Sequence, residues 1–248
     1  VDPLLIVVAA GYGAAVGLLL PRPWYRLAVE PGLPWRTACP RGHALTGPAR
    51  GWLGTARCPA CGPGEREYAP PGWLPAVGTA AVCGVLAAAA GARPELAVWL
   101  LLTPLGVLLA AVDRTVNRLP DVLTLPMAGA AAALLGVAAL LPRGAGSWRR
   151  ALLGGAVLGA CYLLLFLISP NGMGLGDVKL APALGIALGW YGWGVLFLGA
   201  FAGLLLGSLW GLGLLATGRA GRKTAMAFGP FMIVGAGVGL VLGALGAA

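Results

Sequence analysis

Long uncharged apolar runs recur along this chain at a length that suits one environment, the interior of a lipid bilayer. A helix needs about 20 consecutive apolar residues to cross roughly 30 Å of hydrocarbon. Stretches on that scale lie near residues 4–20, 73–92, 96–112, 122–141, 151–169, 178–190, 194–215 and 225–246, the sixth being short. The chain is 59% hydrophobic and only 10% charged, with a mean hydropathy of +0.87, far from the composition of soluble domains. The expected fold is all-α, a polytopic membrane helix bundle of about eight transmembrane helices with the lipid bilayer as its solvent. The first segment has no basic region before it and runs into a Pro-flanked, Arg-rich loop, so it reads as a retained span and not a cleaved signal peptide. The 42 glycines fit the same picture, because small residues let helix backbones approach closely in a bilayer.

A formal charge of +9 raises nucleic acid as a partner, but the basic residues sit in short loops between the spans, which is the pattern that orients membrane proteins. No nucleic-acid partner is expected. With the amino terminus outside, the inside loops hold 13 basic residues, seven of them in the first loop from Arg22 to Arg66, followed by Arg114, Arg118, Lys179, Arg219, Arg222 and Lys223. The outside loops hold four: Arg93, Arg143, Arg149 and Arg150. The positive-inside rule favours this orientation. Trp24, Trp35, Trp52, Trp73, Trp148, Trp190 and Trp193 fall near helix or loop ends and read as interfacial anchors.

Residues 21–72 form the one long polar stretch, between a first transmembrane helix at 1–20 and the remaining spans at 73–248. It is rich in Pro, Gly and Arg and short of the periodic apolar positions that build a core. Cys39-x3-His43 and Cys58-Pro59-Ala60-Cys61 bring together three thiols and the chain's one histidine, a donor set that suits a tetrahedral structural zinc. Metal binding would supply the folding free energy that so small a loop lacks. The expectation is a small cytoplasmic zinc-knuckle-like loop held by Cys39, His43, Cys58 and Cys61. Cys83 and Cys161 lie within spans and read as apolar packing residues.

Eight residues in the chain are acidic, and two of them border apolar segments. Asp113 opens Asp113-Arg114-Thr115-Val116-Asn117-Arg118-Leu119-Pro120-Asp121, and Asp177 stands in Gly174-Leu175-Gly176-Asp177-Val178-Lys179-Leu180. A carboxylate inside a membrane is a functional hypothesis by default. Two spans separate the pair, so both face the cytoplasm in the orientation above. Two carboxyls close enough to repel divide the work, one as general base toward water and the other as general acid toward a scissile carbonyl. Neither a covalent intermediate nor a catalytic metal is required. Gly174 and Gly176 would let the backbone bend and admit an extended substrate strand. Lys179 reads either as a substrate or carboxyl partner or as a snorkelling lysine, and Asp121 as the N-cap of the following helix.

At these residues the chain resembles the type IV prepilin peptidases, membrane aspartic proteases of the GxGD class to which presenilin and signal peptide peptidase also belong. Four features carry the resemblance in order: the cysteine loop after the first span, Asp113 with Leu119-Pro120-Asp121, Gly174-x-Gly176-Asp177-x-Lys179-Leu180, and Ala227-Phe228-Gly229-Pro230-Phe231. The resemblance implies that 73–248 is a transmembrane aspartic protease core with Asp113 and Asp177 as its catalytic pair. It further implies an inner (plasma) membrane enzyme that removes a short basic leader from pilin or pseudopilin precursors on the cytoplasmic face. Many members also methylate the new amino terminus with S-adenosylmethionine. The resemblance brings that activity only as an option, because the commoner loop pattern is two CxxC pairs and this loop departs from it. The alternative of another class is a small proton- or cation-coupled membrane transporter using the same two acids, for which the repeated halves of such folds are not evident.

Overall fold

In a computed structural model, residues 2–62, 68–69, 71–170, 172–218 and 226–247 are described. Their helices, in chain order, are α1 (Pro3–Gly17), α2 (Pro21–Leu27), the single turn α3 (Pro48–Gly51), α4 (Trp73–Ala90), α5 (Pro94–Val116), α6 (Asp121–Ala139), α7 (Trp148–Ile168), α8 (Leu175–Tyr191), α9 (Trp193–Ala216) and α10 (Gly229–Gly246). No β-sheet forms among the described residues, which hold an isolated bridge between Ala38 and Ala44. Every apolar segment read from the sequence is a helix. Six of them, α4, α5, α6, α7, α9 and α10, are long and apolar enough to cross a membrane, and α1 with α2 makes a seventh if that pair, bent by 45°, is one broken span. The chain is a multi-pass membrane helix bundle.

Local chemistry sets the helix ends. Asp2 accepts the backbone N–H of Leu4 at 2.9 Å to start α1, and proline occupies the first turn of α1, α2, α5 and α10, where its missing N–H costs nothing. Helix α5 stops at Asn117, which takes the left-handed conformation (φ 49°, ψ 43°), one of the few non-glycine residues that does so readily. The Asn117 N–H closes on the Asp113 carbonyl at 2.7 Å, so the chain reverses one turn beyond Asp113 and enters α6 at Asp121.

The 17-residue α8 is the axis of the bundle, packed on α6, α7, α9 and α10. Glycine makes its tightest seam. A Cβ added at Gly185 would lie 2.5 Å from the Gly154 carbonyl oxygen, and one at Gly154 would lie 2.6 Å from that of Gly185. Backbone cannot swing aside as a flexible side chain would. Gly185→Ala is therefore expected to destabilise the bundle by about 1–3 kcal/mol, read as a lower melting temperature in detergent. Gly129→Ala, where a Cβ meets nothing within 4 Å, should leave melting unchanged or raise it, since alanine is the better helix former.

Tryptophan placement departs from the sequence reading at one position. Trp190, read as an interfacial anchor, is completely buried beneath the turn that contains Gly144 and Gly146. The loop from 140 to 147 folds back over α8, and Ser147 N–H donates to the Trp190 carbonyl at 3.0 Å. The last turn of α8 thus faces protein and not lipid headgroups.

The polar stretch after α1 has a fastening that the sequence did not suggest. Arg22 and Arg26, read as topology determinants, are each only 7% exposed. Arg22 donates from Nη1 to the Thr46 carbonyl at 2.7 Å, from Nε to Thr55 at 3.3 Å and from Nη2 to Arg57 at 3.4 Å. Arg26 donates from Nη1 to the Gly51 carbonyl at 3.0 Å and lies over the Trp52 ring, 4.1 Å from its centroid. Charge-assisted bonds to carbonyls hold these buried cations without a carboxylate, although Arg26 Nε is left without a partner among the described residues. Trp24 Nε1 donates to Thr115 Oγ1 at 2.9 Å, and Arg118 Nη1 to the Glu30 carbonyl at 3.2 Å. These bonds seat the polar module at the end of the bundle where α5 terminates.

Candidate functional site

Asp113 lies in the last turn of α5 and Asp177 in the first turn of α8, 4% and 6% exposed. The structure brings them to the same end of the bundle, within electrostatic reach of each other. The Asp113 Oδ2 accepts the backbone N–H of Gly229 at 3.0 Å. Gly229 is the first residue of α10, so both carboxyls stand at a helix N-terminus, Asp177 at that of α8 and Asp113 at that of α10, where backbone N–H groups favour negative charge. From sequence alone Asp113 had only the unfavourable C-terminal end of its own helix. The Ala227-Phe228-Gly229-Pro230-Phe231 motif was legible, but its hydrogen bond to Asp113 was not.

One side chain knits these parts together. A Cβ on Gly176 would sit 2.9 Å from the Leu119 Cβ, and a Cβ on Gly229 would sit 3.2 Å from Leu119 Cδ1 and 2.8 Å from Asp113 Oδ2. Leu119 therefore fills the room that both glycines leave. The missing side chain of Gly176 makes space for Leu119, where the sequence reading expected it to open a path for a substrate strand. Gly174 caps α8 with an extended backbone (φ −75°, ψ 141°) and faces Asp177 Oδ2.

Lys179 and Asp121 find each other. Lys179 Nζ lies 2.7 Å from Asp121 Oδ2, with side chains 36% and 58% exposed. Asp121 is thus the first helical residue of α6, with Pro120 in the cap position, and its carboxyl serves α8 and not its own helix end as the N-cap reading supposed. An exposed pair of this kind is worth about 0–1 kcal/mol. A double-mutant cycle of Asp121→Asn and Lys179→Met, read by unfolding free energy, should return a coupling in that range.

At the same end of the bundle, Cys39, His43, Cys58 and Cys61 present four donor atoms within 4.8 Å of one another. His43 Nδ1 lies 3.2 Å from Cys61 Sγ, 3.6 Å from Cys39 Sγ and 3.8 Å from Cys58 Sγ, and Cys39 Sγ lies 3.7 Å from Cys61 Sγ. Zinc–sulfur bonds of about 2.3 Å imply tetrahedral edges of roughly 3.7 Å between sulfurs and slightly less to nitrogen, so the donor set fits such an ion. Two tight turns make the geometry, with Cys39 N–H donating to the His43 carbonyl at 2.9 Å and Cys61 N–H to that of Cys58 at 3.1 Å. Burial works to raise the Cys39 thiol, but bonds from the Arg41 and His43 backbone and from Cys61 and Cys58 bring it down to about 6. Burial first, then Cys58 and Cys39, hold Cys61 up to about 12. Cys83 is fully buried against its neighbours, whereas Cys161 is exposed on the outer face of α7.

The opposite end of the bundle holds an acid that sequence reasoning passed over. Glu95, in the first turn of α5, is fully buried and accepts the Ala145 N–H at 3.3 Å. It follows Arg93-Pro94, just ahead of the apolar run that begins near residue 96.

The type IV leader peptidase family matches residues 100–216, a span that contains both aspartates. The prepilin leader peptidase/N-methyltransferase of Aeromonas hydrophila is 34% identical over 227 residues, covering 84% of this chain and 72% of that protein. The protein of the same name from Pseudomonas aeruginosa is 30% identical over 221 residues, covering 84% of this chain and 71% of that protein. For that of Aeromonas salmonicida the identity is 34% over 156 residues, 58% of this chain and 48% of the relative, so the chain spans only about half of some of the proteins it matches. No solved structure matches. Nothing in these similarities speaks for the transporter alternative. With its sequence matched over more than two thirds of relatives at 30% identity or above, the chain belongs to the type IV leader peptidase family.

Proposed function

We propose that this protein is a membrane-embedded aspartic endopeptidase that removes the leader peptide from type IV prepilins or pseudopilins, with Asp113 and Asp177 as its catalytic pair. What supports the reading is the placement of these two buried carboxyls, 64 positions apart in sequence, at the same end of the bundle, each at a helix N-terminus. One carboxyl is ionised and takes a proton from water as the water oxygen adds to the scissile carbonyl carbon. The other donates its proton to the carbonyl oxygen. Collapse of the tetrahedral species breaks the C–N bond, with a proton passing to the leaving amine. The pair titrates as a unit, so base and acid are roles within it and not labels for one residue each.

The distribution of basic residues supports an amino terminus outside, with the module and the aspartates on the cytoplasmic side, and membership of the family supports residence in the inner membrane. Cys39, His43, Cys58 and Cys61 would hold a structural zinc, which when bound supplies folding free energy to the module. An N-methyltransferase activity is named for the relatives; we assign no residues of this chain to it. The test is incubation of the purified protein, in detergent or proteoliposomes, with a prepilin. Leader loss on gels and by mass spectrometry is the expected result, and an intact precursor overturns the reading. Mass analysis of the mature amino terminus with and without S-adenosylmethionine decides the second activity.

A further inference from the structure

The seam between α7 and α8 runs in a fixed register that can be followed to the aspartates. A Cβ on Gly189 would meet the Arg150 carbonyl at 2.7 Å, Gly154 meets Gly185, and a Cβ on Gly159 would meet Pro182 Cγ at 3.0 Å. Each helical turn forward along α7 is one turn back along α8. The next turn after Gly159 brings Tyr162 opposite Asp177 and Val178. Burial agrees: Tyr162 is 3% exposed, whereas Leu163, Leu164 and Leu165 beside it are 42% to 58% exposed. Tyr162 turns inward while its neighbours face outward.

On its other side the Tyr162 ring packs on Phe228, with centroids 6.5 Å apart and planes at 34°. Phe228 immediately precedes Gly229, whose N–H holds Asp113. The phenol is within electrostatic reach of Asp177, and among the described residues no hydrogen bond engages its hydroxyl. Its oxygen is not among the fully enclosed polar atoms that lack a partner, so the hydroxyl keeps access to solvent. Here the ring is wedged between the two elements that carry and hold the aspartates, and its polar end is uncommitted.

We propose that Tyr162 is a third catalytic side chain, whose hydroxyl donates a hydrogen bond to the oxygen of the scissile carbonyl as water adds to it. This rests on Asp113 and Asp177 being the catalytic pair. The phenol keeps its proton throughout; the proton that neutralises the carbonyl oxygen comes from the protonated carboxyl, and the tyrosine bond stabilises charge on that oxygen before transfer is complete. Such a donor is already in place before reaction, which is why it contributes more than a hydrogen bond in water.

Tyr162→Phe tests this with minimal disturbance, since the ring and its stacking on Phe228 remain and only the hydroxyl is lost. Removal of one donor to a developing oxyanion lowers kcat by about 100-fold or more. The expected result is a fall in kcat on that order with KM and melting temperature at wild-type values. Tyr162→Leu, which removes ring and hydroxyl together, should show no smaller loss in kcat and a lower melting temperature. Wild-type kcat in Tyr162→Phe overturns the proposal, as does a loss matched by unfolding. Asp113→Asn and Asp177→Asn run alongside keep the two readings separate. If both block cleavage while Tyr162→Phe is fully active, only the tyrosine assignment fails. If either remains active, or the wild type leaves the leader in place, the assignment of the aspartate pair fails and the tyrosine assignment with it.

Discussion

Asp113→Asn and Asp177→Asn should each lower prepilin cleavage by about a thousandfold or more, with the fold intact. Asparagine keeps the size and planarity of the side chain, and its amide oxygen can still accept the Gly229 N–H that reaches Asp113. What it removes is the proton that one carboxyl must give and the charge that the other must carry. On the proposed shared mechanism the double variant should be no worse than either single one, the non-additivity expected of a shared catalytic step. The measurement is leader release from a purified prepilin at matched concentrations of monodisperse enzyme, with melting curves to establish that each variant is folded. A single variant retaining more than about a tenth of wild-type turnover would remove that aspartate from the mechanism.

The second large effect lies in the polar module. Cys58→Ser and Cys61→Ser should each lose bound zinc, measured as metal per protein after gel filtration, and should open the module to trypsin at Arg36, Arg41 or Arg57. In isolated zinc-finger peptides the metal contributes an apparent 10–16 kcal/mol, about the whole of their folding free energy. The module here has a second support, since Arg22 and Arg26 hold five of its carbonyls, those of Thr46, Thr55, Arg57, Arg50 and Gly51. Cleavage sites should therefore appear within the module while the helices after Trp73 stay protected. Wild-type protein purified without metal, or a Cys58→Ser variant as resistant as wild type, would sink the structural-zinc assignment.

Hydropathy made most of the fold legible. Each apolar run became a helix because a long apolar run has one stable form in a bilayer, and six of the helices are long and apolar enough to cross one. Sequence also named the two aspartates, since an acid at the border of such a run stands out. Residues whose role depends on register were hidden. Tyr162 lies in Cys161-Tyr162-Leu163-Leu164-Leu165-Phe166-Leu167, where every face looks equally apolar, and only the glycine contacts of α7 with α8 show which way it turns. Trp190 looked interfacial because it is near a helix end, but a folded-back loop covers it. Asp121 looked like a cap because it follows proline, and its partner Lys179 is 58 positions away. Arg22 and Arg26 looked like topology signals because a buried arginine that pairs with carbonyls leaves no acidic partner in the sequence to reveal it.

Leu119 touches the spaces above both Gly176 and Gly229, and this ties three distant points of the polypeptide into a single steric unit. A bulkier side chain at Gly176 has nowhere to go unless position 119 shrinks to match, and one at Gly229 presses on the Asp113 carboxyl as well as on Leu119. A smaller one at 119 leaves a void directly beside both acids. A change at any one of these three positions is thus felt at the other two, and through them at both carboxyls.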